Sequence, residues 1–592
     1  MASASVPLGR VAQVTARRRK LDPLWLTVPG VALLVMFLIY PTIRVLSLSV
    51  IGPAGGFSLA MFHRLFATPV YVRVLQTTFV IAAETTILCL LFGYPLAYWL
   101  SKQPMRRQQG LMLLVLLPFW TSPLVLNFAW LVLLGRNGAF RGILKAIGVI
   151  NPPDVLFTKG VVLFSLTHSM MPLAVVTMLP VMAQIDRGLT QAAATLGATT
   201  AQAFWRIYFH LSMPGVAAAG LLIFISSLGF FITPAILGGP RQTMLSQLII
   251  SQIQDQQNWP FGATLAVMLI AVSVLTCVLY DRVFGMSSVS GGSTGHASRN
   301  SRLRRFSILI ARGLAMATDA LHRLLGGRRM SWVLPAYSIT LLVLSLVPIV
   351  AFMPMGFTSS TFLSFPPPGY SIRWFVAYFN SPIWISATVR SFGIGFATAS
   401  VALLVATLAA FGISRTTSRL SAVAFTLFLL PMVVPSIVIA ISLFYLLAQM
   451  GLIATNLGIM IGHIVIAIPI AFVVVLAVLK NYDWRYDQAA ATLGADRRRI
   501  LMRITLPLIR KGLLAAFIFA FLQSFQELTI ALFIGGGIKT TLPKQMWDDI
   551  NLQITPILAA ASVVVMVIVT SLFMLGGSLR AGRKDDMRAR TR

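Results

Sequence analysis

The chain holds only two glutamates, Glu84 and Glu527, and each lies inside a long apolar run: VIAAETTILCL (80–90) and QSFQELTIALF (523–533). An ionisable group at membrane depth costs on the order of 3 kcal/mol even on the lenient insertion scale, so chance is a poor account of both placements. One account is structural: a helix-to-helix hydrogen bond, or an ion pair with Arg390 at the edge of another run. The other is chemical, since a carboxylate facing a path through the protein attracts a cation without trapping it. Both stay open for Glu84. For Glu527 the polar neighbours Gln526 and Thr529 favour the path. Phe119 and Trp120, beside the break expected at Pro118, offer ring faces for passing cation–π contacts. His168 and His463 also fall in apolar runs, with no Asp, Glu or Cys at metal-ligand spacing. Each is expected to satisfy a packing hydrogen bond. No catalytic group, metal or cofactor is expected.

The elements that position these residues are membrane spans. Hydrophobic residues make up 57% of the chain and charged residues 10%, which excludes an ordinary soluble domain. Twelve apolar runs long enough to cross a bilayer fall near 24–50, 76–101, 110–134, 159–182, 215–238, 262–281, 331–356, 389–414, 421–447, 458–480, 512–533 and 556–577. With both termini in the cytoplasm, 35 of the 47 Lys and Arg fall in cytoplasmic segments and 10 outside, the positive-inside asymmetry. The net charge of +32 therefore points to anionic membrane lipid as a partner, not to nucleic acid. Cys89 and Cys277 both lie in expected spans, so no disulfide framework is expected. The first run is long and lacks a small-residue cleavage site, as in an uncleaved first helix.

The octapeptide QAAATLGA occurs at 191–198 and again at 488–495, 297 positions apart. Pro172 and Pro469 repeat at the same offset, and LPFWTSPLV (117–125) resembles LPMVVPSIV (430–438) at an offset of 313. The chain thus reads as an all-α membrane protein of two parallel six-span repeats, since an even number of spans preserves orientation. The expected layout is a basic cytoplasmic N-terminus (1–23), a first domain (24–286), a cytoplasmic linker (287–330), a second domain (331–577) and a basic cytoplasmic C-terminus (578–592). Apolar residues at helical spacing in 306–329, beside four arginines, suit a helix lying on the membrane surface.

Each octapeptide predicts a helix–Gly–helix elbow on the cytoplasmic side. QAAATL is a strong helix former, and Gly197 or Gly494 permits the left-handed turn that closes it. Thr190 and Thr199 in one copy, Asp487 and Asp496 in the other, are expected caps. Over 190–216 against 487–513, 12 of 27 residues are identical without a gap. The alanine surface allows close approach of a partner at little side-chain entropy cost. Gln191, Ala192, Ala193 and Gly197, with Gln488, Ala489, Ala490 and Gly494, are the candidate docking residues.

These residues resemble the EAA loop of ABC-importer permeases, here at about 183–214 and 481–511. The second copy fits through Ala489, Ala490, Gly494, Ile504, Leu506 and Pro507. The first fits through Ala192, Ala193, Gly197 and Ile207, but has Phe209 and His210 where Leu-Pro is usual. Both carry Gln, at 191 and 488, where Glu is common, so neither loop offers a carboxylate at that position for an ion pair to an ATPase. Beyond the loops, FGYPLAYWLS (92–101), LPFWTSPLVLNFAWLVLLGRNG (117–138) and SSLGFFITPAILGG (226–239) are similar to the first permease subunit of spermidine/putrescine-type importers. FPPPGYSIRWF (365–375) and QSFQELTIALFIGG (523–536) are similar to the second, SFQE standing where that family has SFDE.

The resemblance implies a type I permease of the bacterial inner membrane, with both subunits fused in one chain. It implies a path between two six-helix halves, for which Glu84, Pro118, Phe119, Trp120, Gln526 and Glu527 are the candidate lining residues. It also implies cytoplasmic ABC ATPase subunits, two copies, and a periplasmic substrate-binding protein. Polyamine is the first substrate class. Ferric iron, thiamine and aminophosphonate remain alternatives, since fusion, also seen in ferric-iron and thiamine importers, does not settle the substrate. No GxxxxGK[ST] loop occurs, so ATP hydrolysis falls to another chain and this one is not an enzyme. GGGIK (535–539) lacks that spacing and reads as a turn. A secondary transporter with two six-span halves is the competing class; its Asp-Arg, Gly-rich loop after the second span has no match in SKQPMRRQQ (101–109).

Overall fold

The computed structural model describes residues 22–52, 55–284, 332–416, 418–537 and 539–571, with five further positions between 312 and 320. The tails at 1–21 and 578–592, and nearly all of the expected surface helix at 306–329, lie outside the described residues. Helices dominate and no strand occurs among the described residues, only isolated bridges. A segment in lipid must satisfy its own backbone donors and acceptors, and an apolar helix does so.

Ten helices are long and apolar enough to cross a membrane, among the described residues. The pair Arg419–Val433 and Ser436–Gln449, bent by 98°, makes an eleventh if counted as one span. The expected twelfth, at 556–577, is seen as the shorter apolar helix Ile557–Ser571, and its remaining positions are outside the described residues. The expected third span of the first half is likewise two helices, Met105–Trp120 and Pro123–Leu134.

The duplication extends to single bonds. Lys159–Ala183 and Asn456–Lys480 are both 25 residues long, and each is capped by a threonine hydroxyl, from Thr158 and Thr455. Pro69–Ser101 and Pro382–Ser414 are both 33 residues long. Phe157 and Ala454, then Gln257 and Ile554, take positive φ at one offset, 297. Thr78 Oγ1 accepts the Leu245 N–H at 2.8 Å, and Ser391 Oγ accepts the Leu542 N–H at 2.7 Å in the matching place.

The halves exchange their opening helices. Pro23–Val50 packs on Pro382–Ser414, Arg419–Val433 and Ser436–Gln449 of the second half. Val333–Gly356 packs on Pro69–Ser101, Met105–Trp120 and Pro123–Leu134 of the first. Small residues make this possible, since lipid supplies no hydrophobic drive between helices and close backbone approach must. At Gly30 an added Cβ would fall on the Phe428 ring, and at Gly412 it would lie 2.8 Å from the Pro23 carbonyl oxygen.

The sequence predicts one continuous fifth span per half, at 215–238 and 512–533. The structure corrects this. The long helices end at Leu228 and Phe525, and short buried helices Ile232–Leu237 and Thr529–Ile534 follow after a turn. Hydropathy is blind to the break because the turn is enclosed by protein, where irregular backbone is tolerated at membrane depth.

Candidate functional site

Two broken segments from each half meet at the seam between halves. Trp120 ends the helix before the Thr121–Ser122 break, and its carbonyl oxygen accepts a hydrogen bond from Gln526 Nε2, in the fifth-span turn of the other half. The reciprocal place pairs Gly229 with the break at Val434 and Pro435, where an added Cβ would lie 3.3 Å from Pro435 Cβ. Gln526 and Gly229 are equivalent positions, 297 apart. Pro118 is buried, Trp120 half-buried and Phe119 exposed, all three beside this break. The structure thus brings Trp120 and Gln526 together, leaves Phe119 beside them in sequence but exposed, and adds Gly229 and Pro435. Sequence reasoning missed these two because no charge or aromatic ring marks them.

Glu527, the neighbour of Gln526, is turned away from the break. Its carboxylate accepts the backbone N–H groups of Ile530, at 2.8 and 3.0 Å, and of Ala531, at 3.2 Å. These are the orphan donors at the start of the short helix Thr529–Ile534, so the side chain closes that helix. His463 Nε2 stands 3.5 Å from Glu527 Oε2, and His463 Nδ1 lies 2.7 Å from Ser524 Oγ. Both side chains are at most 5% exposed. His168 Nε2 lies 2.9 Å from the Ser345 carbonyl oxygen, on the exchanged helix of the other half.

Glu84 does not meet Arg390. Lys159 Nζ donates to its Oε1 at 2.7 Å, with both side chains partly exposed, between the second and fourth spans of the first half. Arg390 belongs to the second half and its Nη1 donates to the Thr540 carbonyl oxygen at 2.8 Å. The contact is a helix-to-helix bond, one of the two structural alternatives, but its partner is not Arg390, because linear spacing does not reveal which helices adjoin.

The elbows form as their glycines require. Gly197 has φ +83° and Gly494 φ +80°, each after a short helix, Arg187–Thr195 or Arg485–Thr492. A π-helical turn follows in both, at Phe204–Tyr208 and Leu501–Thr505, and leads into the fifth span. The caps differ from expectation. The first helix starts earlier and is capped by Asp186, whose carboxylate accepts the Gly188 N–H at 2.8 Å, not by Thr190. Thr199 does cap, with a reciprocal bond to Gln202, whereas Asp496 makes no side-chain cap bond.

Asp487 lies inside the first turn, and its carboxylate accepts from Tyr482 Oη at 2.7 Å and Thr505 Oγ1 at 3.0 Å, with Arg415 Nη2 at 3.4 Å. Burial and this carboxylate push the Tyr482 phenol up to about 12, so it remains a donor. Gln191, Ala192, Gln488 and Ala489 are exposed, Ala193 is half-buried and Ala490 buried. Leu196 and Leu493, at equivalent positions just before the glycines, are each 88% exposed. Both elbows thus bare a large apolar side chain at the same place, which the alanine pattern alone did not reveal.

The family model for the inner membrane component of binding-protein-dependent transport systems matches residues 89–287 and again 402–582. The chain belongs to that family. The spermidine/putrescine transport system permease protein PotB of Haemophilus influenzae is 30% identical over 256 residues, 42% of this permease and 89% of PotB. The same organism's PotC is 27% identical over 207 residues, 35% of this permease and 80% of PotC. The molybdenum transport permease ModB of Mycobacterium bovis is 29% identical over 254 residues, 43% of this permease and 91% of ModB. The permease is a multi-pass inner-membrane component of an ABC importer, with two repeats of the family domain in one chain. Permeases of this kind work with an ATPase and a substrate-binding protein.

Proposed function

We propose that this single chain forms the complete translocation path for a small organic cation of the polyamine class. The observation that carries this reading is the reciprocal seam, in which each half's broken third span meets the fifth-span turn of the other. Broken helices at membrane depth are where transporters expose backbone polar groups to a solute. Phe119 and Trp120 flank one break, and a soft, cation-compatible surface suits a solute that must pass and not stay. The relatives named for spermidine and putrescine support the substrate class.

In this reading both termini and both elbows face the cytoplasm. Two ATPase copies dock on Gln191, Ala192, Ala193 and Gly197 and on Gln488, Ala489, Ala490 and Gly494, and the elbows' leucines seat in them. ATP hydrolysis belongs to those subunits, and a periplasmic binding protein delivers the solute at the opposite face. Glu527 serves the path indirectly, by fixing the turn that carries Gln526, while Glu84 is committed to Lys159. Lipid contacts the basic cytoplasmic segments.

The test is uptake by vesicles containing this chain, its ATPase and its binding protein. Labelled spermidine or putrescine should enter in an ATP-dependent manner. Ferric iron, thiamine, an aminophosphonate and molybdate form the comparison set. Uptake of one of these, with none of polyamine, would replace the substrate class and leave the permease architecture standing. An impermeant thiol reagent that labels a cysteine placed at 198 or 495 from outside would overturn the orientation.

A further inference from the structure

At the end of the spans away from the elbows, the two halves share a groove between their second and fourth spans but finish it differently. In the first half the Glu84–Lys159 ion pair closes it. The equivalent residues of the second half are Ala397 and Asn456, and Gly393 stands where the first half has Val80. Three longer side chains are thus replaced by shorter ones, and a cleft opens between Pro382–Ser414 and Asn456–Lys480. It is lined by Arg390, Gly393, Ile394, Ala397, Asn456 and Met460, and has a volume of roughly 1050 Å³ including its mouth. An added Cβ at Gly393 would meet nothing within 4 Å, so the space is open and not filled by a neighbour.

The cleft faces outward, not toward the seam. Val389 and Leu457 on its rim are 65% and 49% exposed, and Phe396 on the same helix is 63% exposed. Apolar side chains bared in this way on a membrane helix meet acyl chains. Arg390 lies eight residues into its helix, about 12 Å from the start at a rise of 1.5 Å per residue. It shares the cleft with Asn456, the first residue of the facing helix. Its bond to the Thr540 carbonyl holds the guanidinium at the wall. Guanidinium keeps its charge at any accessible pH and matches phosphate oxygens two at a time.

We propose that this cleft is a binding site for an anionic membrane phospholipid, the phosphate held by Arg390 and the amide of Asn456, the acyl chains lying along Val389 and Leu457. The first half has no such site, because its ion pair occupies the space. One lipid is therefore bound to one side of an otherwise duplicated protein.

The test is native mass spectrometry of the full-length permease, titrated with phosphatidylglycerol in detergent. Wild type should retain one tightly bound lipid, at an affinity at least tenfold above Arg390→Gln. Gly393→Leu narrows the cleft beside Arg390 while leaving the arginine in place, and should lose the same lipid; Arg390→Lys should keep it with weaker affinity. Thermal unfolding of each variant in detergent identifies any that fails to fold, and Gly393→Leu tests the site without touching a charge. Equal lipid occupancy in wild type, Arg390→Gln and Gly393→Leu would overturn the proposal. So would displacement of the lipid by inorganic phosphate at equal concentration, since that outcome describes an anion site and not a lipid site.

Discussion

Gln526 of the second half donates a hydrogen bond to the main-chain oxygen of Trp120 in the first, while the equivalent position, Gly229, offers only backbone to Pro435. The seam is therefore pseudo-symmetric in backbone and asymmetric in chemistry. One crossing is a polar latch, and the other is a close van der Waals contact that favours a small residue. A latch between the halves must loosen if they separate during transport, so its strength bears on the rate of opening.

Gln526→Ala removes the latch without adding bulk. A hydrogen bond of this kind is worth about 1 kcal/mol net, which is about fivefold in an equilibrium. ATP hydrolysis in the absence of binding protein should rise by about that factor as the closed seam loses its bond, while uptake per ATP falls. Basal hydrolysis and coupling ratio both equal to wild type would show that the bond is incidental. Gly229→Val should instead cost assembly, because its Cβ already stands at contact distance from Pro435.

Glu527→Gln tests whether the carboxylate acts on the solute or on its own helix. The structure commits both oxygens to backbone donors of Thr529–Ile534, and a glutamine oxygen can accept only part of that set. Leaving a buried donor unpaired costs about 1–3 kcal/mol, so the melting temperature should drop. Uptake normalised to folded protein should fall less than the stability does. A strong loss of uptake at unchanged melting temperature would move Glu527 back onto the path.

What the sequence could reveal here followed from spacing. The octapeptides, the matched glycines and the offsets of 297 and 313 are local signals, and the duplicated helices and left-handed glycines match them. The exchange of opening helices was not legible, because an apolar helix carries no record of which neighbour it packs on in lipid. Nor were the fifth-span turns, since hydropathy runs on through Gln526 and Glu527 into a short helix that is just as apolar. The identity of the partner of Glu84 was not legible for the same reason. Lys159 is 75 positions away and becomes a neighbour only when the second and fourth spans pack.

Asp487→Asn probes the unequal footing of the two elbows. In the second, one carboxylate gathers Tyr482, Thr505 and Arg415 and so ties the elbow to the end of the second span. In the first, the equivalent residue is Thr190, which bonds only within its own turn. The tie to the second span is there uncharged on its acceptor side: Arg187 Nη2 donates to the Ser101 carbonyl oxygen at 3.3 Å, and Lys102 lies over the rings of Tyr98 and Tyr208. Asparagine keeps one acceptor but loses the charge that Arg415 meets. ATPase should still bind, with hydrolysis coupled to uptake reduced by about threefold to tenfold, and the matching Thr190→Val change should have little effect. Equal responses at the two positions would argue against unequal anchoring.

The elbow leucines give the most direct test of docking. Leu196 and Leu493 each project 88% exposed from the last turn before a left-handed glycine, at a place where an isolated permease gains nothing by baring them. Burying a leucine side chain is worth about 1.5–3 kcal/mol. Replacing one by serine should therefore weaken ATPase binding by roughly tenfold or more, and replacing both should abolish co-purification at submicromolar protein. The fold should be untouched, since neither side chain packs on the rest of the chain, and the melting temperature of the permease alone provides that control. Gly494→Pro offers the complementary change: it keeps the leucine but cannot hold φ +80°, so the knob is presented at the wrong angle. Transport should fail in that variant with some ATPase still bound. If the double serine variant holds its ATPase as tightly as wild type, the exposed leucines are not the contact and the alanine face alone carries the docking.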